Sequence, residues 1–308
     1  MLKHKVIVAL GIAWLLLTAG SFTLVDGQPA LSERDSELSP IGLGRELSFS
    51  IGVDVWPNQW VKSIDFFPFG GTQVGQQSAF SVAFIPNATL TYGRFFLSAS
   101  YMVPTGYSFG KISTVLAPIG VSPGGLEAPA APPAPADILE VRRDASRQEG
   151  DLTLGYFPID WLGVAIGYKG IFQRFDTELR SILLGASIPT EIETDYNGIT
   201  FGVLASAKID DRFSLFGNAF GGYLFASCRP ACTKGNSPYT AAKLVLRYAP
   251  TPQFSVTLGY RVQIINNPPK TPSMLNPSDV PPGLPTEFDA PSAVDLTHGA
   301  VMGVSYRF

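Results

Sequence analysis

The chain has 308 residues and a formal net charge of −3, and 15% of its residues are charged while 45% are hydrophobic. This composition excludes the strongly basic surface that nucleic-acid binding requires. After residue 17, no apolar run approaches the roughly 20 residues of a membrane helix, so a membrane-spanning form of this chain would have to be a closed β-barrel.

The first twenty residues have the pattern of a secretory signal peptide. A short basic start (1–5) precedes an apolar run (6–17), and the small residues Thr18-Ala19-Gly20-Ser21 follow. The apolar run is too short for a spanning helix. We therefore predict a signal peptide over 1–20, with cleavage there or slightly later, and a periplasmic N-terminal segment over 21–45.

From residue 46 onward, segments of alternating polarity recur. In 254–264, for example, apolar side chains hold the even positions and mostly polar or small ones the odd positions. Successive side chains of a strand point to opposite faces, so this alternation predicts strands that are apolar on one side. The pattern predicts ten strands, at approximately 46–56, 79–91, 93–103, 149–157, 161–175, 196–208, 212–226, 238–249, 253–265 and 298–308.

The connections between these strands alternate in length. Four are tight turns, near residues 93, 158–160, 210–211 and 250–252. The others are long and rich in polar residues or proline, and we predict them to be extracellular loops over 57–78, 104–148, 176–195, 227–237 and 266–297. Short turns at one rim and long loops at the other are typical of an outer-membrane barrel.

Aromatic residues gather near both predicted rims, which indicates two membrane interfaces. Near the short turns lie Tyr92, Phe95, Tyr156, Trp161, Tyr306 and Phe308, among others; near the long loops lie Trp56, Tyr101, Phe172, Tyr196, Tyr223, Phe225 and Tyr239. Between these girdles, no Lys, Arg, Asp or Glu stands at an outward position. A soluble β-sandwich would not keep such a charge-free outer band.

The last strand, "HGAVMGVSYRF" (298–308), ends on an aromatic residue with apolar residues at every second position before it. In this the chain resembles the bacterial outer-membrane β-barrel proteins, in which such a strand is the recognition signal for barrel assembly. The resemblance implies that Phe308, Tyr306 and Val304 form this signal. It also implies an integral multi-pass protein of the cell outer membrane, with outer-membrane lipid, lipopolysaccharide and the barrel-assembly machinery as partners.

We therefore expect an all-β fold: a transmembrane antiparallel up-and-down β-barrel over 46–308, with about ten strands, or eight or twelve if a loop is misread. Its inward faces carry many small residues and several charges. The predicted lumen-lining charges are Arg94, Lys169, Lys208, Lys243, Arg247, Arg261, Arg307, Asp54 and Asp151.

These charges allow two interpretations. An excess of fixed cations along a narrow water-filled path favours anions. Alternatively, Arg94, Lys208, Arg247 and Arg307 sit at the periplasmic rim, and the other cations pair with carboxylates in a plugged interior. The sequence thus predicts a narrow, porin-like passive channel for small anionic solutes. The alternative is a closed structural barrel that displays proline-rich surface loops, such as the polyproline stretch at 127–137, for adhesion or partner binding.

Other site chemistry is sparse. Cys228 and Cys232 fall in a predicted external loop of an exported chain, so we expect a disulfide between them. A metal site would need more ligands, and no cofactor is expected. His298 is the one histidine beyond the predicted signal peptide, and Ala300 follows where an outer-membrane lipid hydrolase would have serine; we therefore predict no enzymatic activity.

Overall fold

The computed structural model describes residues 47–65, 73–116, 137–181, 187–229, 235–266 and 294–308. Several sequence predictions fall outside these ranges, namely the signal peptide, the N-terminal segment, most of the stretch at 127–137, and Cys232. Cys228 lies near the end of a strand, and its disulfide with Cys232 stays a prediction.

The described residues form antiparallel strands joined in one sheet. In chain order they are β1 (Leu47–Asp65), β2 (Gln73–Gln77), β3 (Ser81–Tyr92), β4 (Phe95–Leu116), β5 (Asp137–Ile159), β6 (Leu162–Ser181), β7 (Ser187–Lys208), β8 (Phe213–Arg229), β9 (Gly235–Tyr248), β10 (Phe254–Asn266) and β11 (Val294–Arg307).

The sheet closes on itself because β11 pairs with β1, from Ser50↔Arg307 to Lys62↔Asp295. Closure through β1 and β11 removes the two outer edges that an open sheet would have. β2 and β3 occupy the same side of β1: Asn58 pairs with Ser81, and Val61 pairs with Gln77. They therefore act as one strand with an irregularity at 78–80. The result is the predicted antiparallel up-and-down barrel with ten strand positions around its circumference.

The outer surface carries a continuous apolar band. Side chains such as Leu154, Val164 and Phe201 are at least half exposed, which would be a serious liability in water. No Lys, Arg, Asp or Glu stands at the outward positions of this band, which covers roughly 47–57, 82–92, 95–102, 152–157, 162–170, 199–207, 213–223, 240–248, 254–262 and 300–308. Among the described residues, no helix is long and apolar enough to cross a membrane.

The strands on one side of the barrel are longer than the sequence predicts. The sequence analysis assigns 57–65, 104–116, 137–148, 176–181 and 187–195 to loops, but they continue β1, β4, β5, β6 and β7, and 73–77 of the first predicted loop form β2. Beyond the apolar band, the outward face becomes polar, so the alternation of apolar and polar residues from which the strands were predicted is lost. A bulge between Met102 and Thr105 also interrupts the alternation in β4. The ladder of paired backbone groups continues regardless.

The long-loop aromatic girdle also differs from the prediction. Tyr101, Tyr223 and Phe225 face outward and are exposed, as expected. Trp56, Tyr196 and Tyr239 instead face the lumen and are buried. Proximity to the rim was correct for these three residues, but their parity along the strand places them on the inner face.

Candidate functional site

A row of three charged side chains on β5 faces the barrel interior. Arg147, Glu149 and Asp151 alternate with Gln148 and Gly150, so the strand period of two puts all three on the inner face. Arg147 and Glu149 are almost fully buried, with relative exposures of 1% and 2%. Buried charges at this density require partners, since an isolated ion away from water costs several kcal/mol.

Glu149 is the centre of the first group of partners. Its carboxylate accepts hydrogen bonds from Arg147 Nε at 2.7 Å, Lys169 Nζ at 2.8 Å and Arg261 Nη2 at 3.1 Å. The amide of Gln263 donates a fourth, at 2.9 Å. One carboxylate thus holds side chains from β5, β6 and β10.

Asp295 on β11 is the centre of a second group. Its carboxylate accepts hydrogen bonds from Trp60 Nε1 at 2.7 Å, Arg147 Nη1 at 3.3 Å and Gln173 Nε2 at 3.1 Å. Arg147 joins the two groups because it donates to both Glu149 and Asp295, and it also donates to Thr297. We call this set the cross-lumen network: Trp60, Arg147, Glu149, Asp151, Lys169, Gln173, Arg261, Gln263, Asp295 and Thr297.

The cross-lumen network spans the full width of the barrel. In the order of strands around the circumference, β5 and β10 are five positions apart, which is the opposite side of a ten-strand ring. Arg147 on β5 donates to Gln263 on β10 at 3.1 Å. Three cations, Arg147, Lys169 and Arg261, face three carboxylates, Glu149, Asp151 and Asp295. The lumen is therefore crossed by a charge-balanced layer of side chains.

Apolar clusters fill the lumen on the long-loop side of this layer. Trp60 packs against Tyr107, Phe109 and Phe175, with ring centroids 5.1 to 5.6 Å apart. A second cluster consists of Ile171, Tyr196, Leu224, Ala226, Tyr239 and Ile265. Together, the two clusters and the cross-lumen network occupy the described part of the lumen on this side of the barrel.

Lys62 lies beside Phe175, with its Nζ 3.7 Å from the ring centroid. This position on β1 is beyond the apolar band. Burial lowers the pKa of Lys62 to about 8, and the positive charges of Arg143 and Arg147 act in the same direction, while Asp295 opposes them. Burial also lowers the pKa of Arg143, to about 10.

Below the cross-lumen network lies a cavity of about 430 Å³, which we call the chamber. It extends from Lys169 and Arg261 down to Ser214 and Arg307 near the short turns. Five cations (Lys169, Lys243, Arg247, Arg261 and Arg307) and two carboxylates (Asp54 and Asp151) line it. Small inward-facing residues, such as Ser98, Thr153 and Thr257, leave this space.

The nine predicted lumen-lining charges divide into four groups. Lys169, Asp151 and Arg261 belong to the cross-lumen network, and Lys243 pairs with Asp54 at 2.6 Å lower in the chamber. Arg247 and Arg307 line the short-turn end of the chamber.

Arg94 and Lys208 lie at the short-turn rim, half exposed, beside Asp160 and Asp211, and do not line the chamber. Of the four cations that the alternative interpretation placed at the periplasmic rim, the structure has these two outside the chamber and the other two in its lining.

Sequence reasoning missed Arg147, Glu149 and Asp295, because they fall at or beyond the predicted strand ends. The alternating charges of "RQEGD" (147–151) were the one signal that could have extended β5 upward. Asp295 had no such signal, since its partner Arg147 lies 148 residues away in the sequence.

The last strand closes the barrel. Phe308 N donates to the carbonyl of Phe49 at 2.9 Å, and their rings stack with centroids 6.0 Å apart. Outward-facing Tyr306 contacts Phe308 edge to face. His298 also faces outward and shares a 2.7 Å hydrogen bond with Tyr260. Within the described ranges, no group of three His, Cys, Asp or Glu side chains is arranged to hold a metal ion.

Comparison with known proteins supports the fold. No family model matches the chain, and no curated protein matches it. Among solved structures, the outer-membrane protease OmpT from Escherichia coli is similar with a TM-score of 0.50 at 12% identity, covering 85% of this chain and 96% of that one.

Two further structures match with lower TM-scores. The toluene transporter TodX from P. putida has a TM-score of 0.30 at 10% identity, covering 85% of this chain and 89% of that one. Ail from Yersinia pestis has 0.32 at 9% identity, covering 85% and 99%. The closed barrel, its apolar outer band and the fold it shares with OmpT identify an integral β-barrel protein of the bacterial outer membrane.

Proposed function

We propose that this protein is a closed barrel that displays its extracellular surface to a binding partner, and that its lumen does not conduct ions steadily. The observation that carries the proposal is the cross-lumen network. An open pore needs a continuous water path, whereas Arg147 and Lys169 are each 1% exposed and reach partners on other strands. The cations that suggested anion transport, Lys169 and Arg261, are held by carboxylates.

The part available to a partner is large. Residues 137–148 of β5, together with the facing parts of β4, β6 and β7, project beyond the apolar band; we call this the external wall. At about 3.3 Å per residue and a tilt of about 40°, these twelve residues of β5 rise about 30 Å above the lipid. The cluster around Trp60 packs against the inner side of the wall at its base.

The outer side of this wall is rich in acids. Seven carboxylates and three arginines stand at its outward positions on β5, β6 and β7: Glu140, Asp144, Asp176, Glu178, Glu191, Glu193 and Asp195, with Arg142, Arg174 and Arg180. Arg174 is already paired with Asp176 and Glu191. An excess of fixed negative charge attracts a cationic partner and speeds its association. We therefore propose a partner with a basic surface.

A passive channel for small anionic solutes is the second candidate. The observation in its favour is the chamber, whose lining carries more cations than carboxylates. For this function, the cross-lumen network would have to open.

The experiment that separates the two is conductance of the refolded barrel in a planar bilayer under a salt gradient. We expect no conductance from the wild-type protein, once its folding is shown by different electrophoretic migration of unheated and heated samples. Arg147→Ser should produce openings, because it removes the side chain that bonds to Glu149, Gln263, Asp295 and Thr297. Arg142→Ser, an exposed arginine on the same strand, is the matched control and should remain silent.

Steady anion-selective openings of the wild type would overturn the closed barrel in favour of the channel. In that case Lys169→Glu and Arg261→Glu should reduce the anion preference, since both side chains lie where the path is blocked.

We also propose that the barrel has no enzymatic activity. His298 faces the lipid and bonds to a tyrosine, not to a nucleophile held by an orienting acid. Lipopolysaccharide around the external wall and recognition of Phe308, Tyr306 and Val304 by the assembly machinery belong to the same proposal. The outward-facing Tyr306 and Phe308 are accessible for such recognition.

A further inference from the structure

The chamber has two walls of different chemistry. On one side, Phe96, Phe157, Phe216 and Phe220 project inward from β4, β5 and β8, and pack with Leu204 of β7. β9, which pairs with β8 and lies opposite β4 in the ring of strands, contributes Arg247, and β11 contributes Arg307, with the Lys243–Asp54 pair above them. Both walls lie in the short-turn half of the barrel.

Glycines on neighbouring strands determine where the phenylalanine rings lie. Phe96 lies directly over Gly155, its pairing partner on β5, and Phe220 over Gly202 on β7. A Cβ at Gly163 would stand 2.8 Å from the ring of Phe157. Because the glycines have no side chain, these rings lie along the barrel wall and leave the centre of the lumen open.

The rings therefore form an apolar surface that lines the cavity and does not fill it. A cavity of about 430 Å³ is within the range of small-molecule sites, roughly 300–1,000 Å³. An apolar surface with a few convergent polar groups is also the usual composition of such sites.

The wall that carries Arg247 and Arg307 favours a ligand with a negative charge. Ion pairs hold Lys169, Arg261 and Lys243. Arg307 has no carboxylate within ion-pair distance among the described residues, and it lies at the same end of the chamber as Arg247. A guanidinium group binds a carboxylate through two parallel hydrogen bonds.

We propose that the chamber is a binding site, reached from the short-turn rim, for a small carboxylate with an apolar body. The body lies on the phenylalanine wall and the carboxylate faces Arg247 and Arg307. The site is independent of any surface partner and does not require the cross-lumen network to open.

The test is calorimetric titration of the barrel in lipid nanodiscs with 2-naphthoate, with empty nanodiscs subtracted. The matched neutral probe is 2-naphthamide, which has the same ring system without the charge. We expect saturable binding of 2-naphthoate and at least tenfold weaker binding of 2-naphthamide. Arg307→Gln together with Arg247→Gln should weaken 2-naphthoate binding about tenfold and leave 2-naphthamide binding unchanged, since one charged hydrogen-bond pair is worth about that factor.

A space-filling variant tests the location. Ser98 faces the chamber and Ala99, the next residue, faces lipid. Ser98→Trp should abolish the binding of both probes, whereas Ala99→Trp should bind as wild type. Arg307→Gln alone, which leaves the phenylalanine wall unchanged, tests the proposal if Ser98→Trp fails to fold: it should weaken the binding of 2-naphthoate and not that of 2-naphthamide. Equal binding of the two probes, no binding of either, or wild-type binding by folded Ser98→Trp would each overturn the proposal.

Discussion

Glu149→Gln tests whether the cross-lumen network is a structural element of the barrel. The glutamine keeps the shape of the side chain and removes the charge that Arg147, Lys169 and Arg261 share. Arg147 retains Asp295 and Lys169 retains Asp151, but Arg261 has no other carboxylate in an ion pair within the described residues. The substitution therefore leaves three cations close together with two carboxylates.

The expected cost follows from the burial of this group. Breaking a buried ion pair by removing one partner costs about 3–5 kcal/mol, because the remaining charge has lost both water and its partner. Since two of the three cations keep another carboxylate, we expect the free energy of unfolding to fall by about 3 kcal/mol, at the lower end of that range.

The assay is urea unfolding in lipid vesicles, followed by tryptophan fluorescence. Trp56 and Trp60 suit this measurement, since both are fully buried, Trp60 is part of the network and the guanidinium of Arg261 lies over Trp56. Glu191→Gln is the matched control: Glu191 pairs with Arg174 at 3.0 Å but is half exposed, so its loss should cost less than about 1 kcal/mol. If Glu149→Gln costs no more than Glu191→Gln, the network does not stabilise the barrel and the reasoning fails.

Three further predictions concern other parts of the molecule. Gly155→Ala should lower the free energy of unfolding by about 1–3 kcal/mol because its Cβ would overlap the ring of Phe96, whereas Gly150→Ala on the same strand, with open space around it, should be nearly neutral in the same urea assay. Burial holds the pKa of Lys62 at about 8, below its usual 10.5, so the unfolded chain binds more protons than the folded one between these two pH values. The free energy of unfolding should therefore rise from pH 8 to pH 10.5, and Lys62→Met should remove that rise. An unchanged slope in Lys62→Met would show that Lys62 is not the source of the rise. A lysine-rich peptide should bind the acidic external wall in nanodiscs, and Asp176→Lys with Glu193→Lys, or higher salt, should weaken that binding; binding that ignores both changes would place the contact elsewhere.

The membrane part of the barrel could be predicted from the amino-acid pattern alone. A strand that faces lipid on one side must alternate, so residues such as Leu154, Val164 and Phe201 revealed both the strands and their outward faces. The ten strand positions, the short turns and the closing last strand follow from this period of two and are confirmed in the structure.

Two features could not be found in this way. Above the lipid, the outward face of β4 to β7 is polar, so nothing in the local pattern distinguishes a projecting strand from a loop, and the paired backbones alone extend the sheet. The inward direction of the cations was predicted from their parity along the strands. Whether each cation is paired with a carboxylate was not, because a charge on the inner face has the same sequence pattern in either case.

The partners of these cations become visible only once the barrel is closed. Closing the sheet brings β5 opposite β10 and places Arg147 beside Asp295, 148 residues away in the sequence. No local periodicity encodes such a contact, since it depends on the circumference of the barrel and on the height of each residue within it. The alternation of side chains placed the protein in the membrane, and the geometry of closure decided which of its charges meet inside.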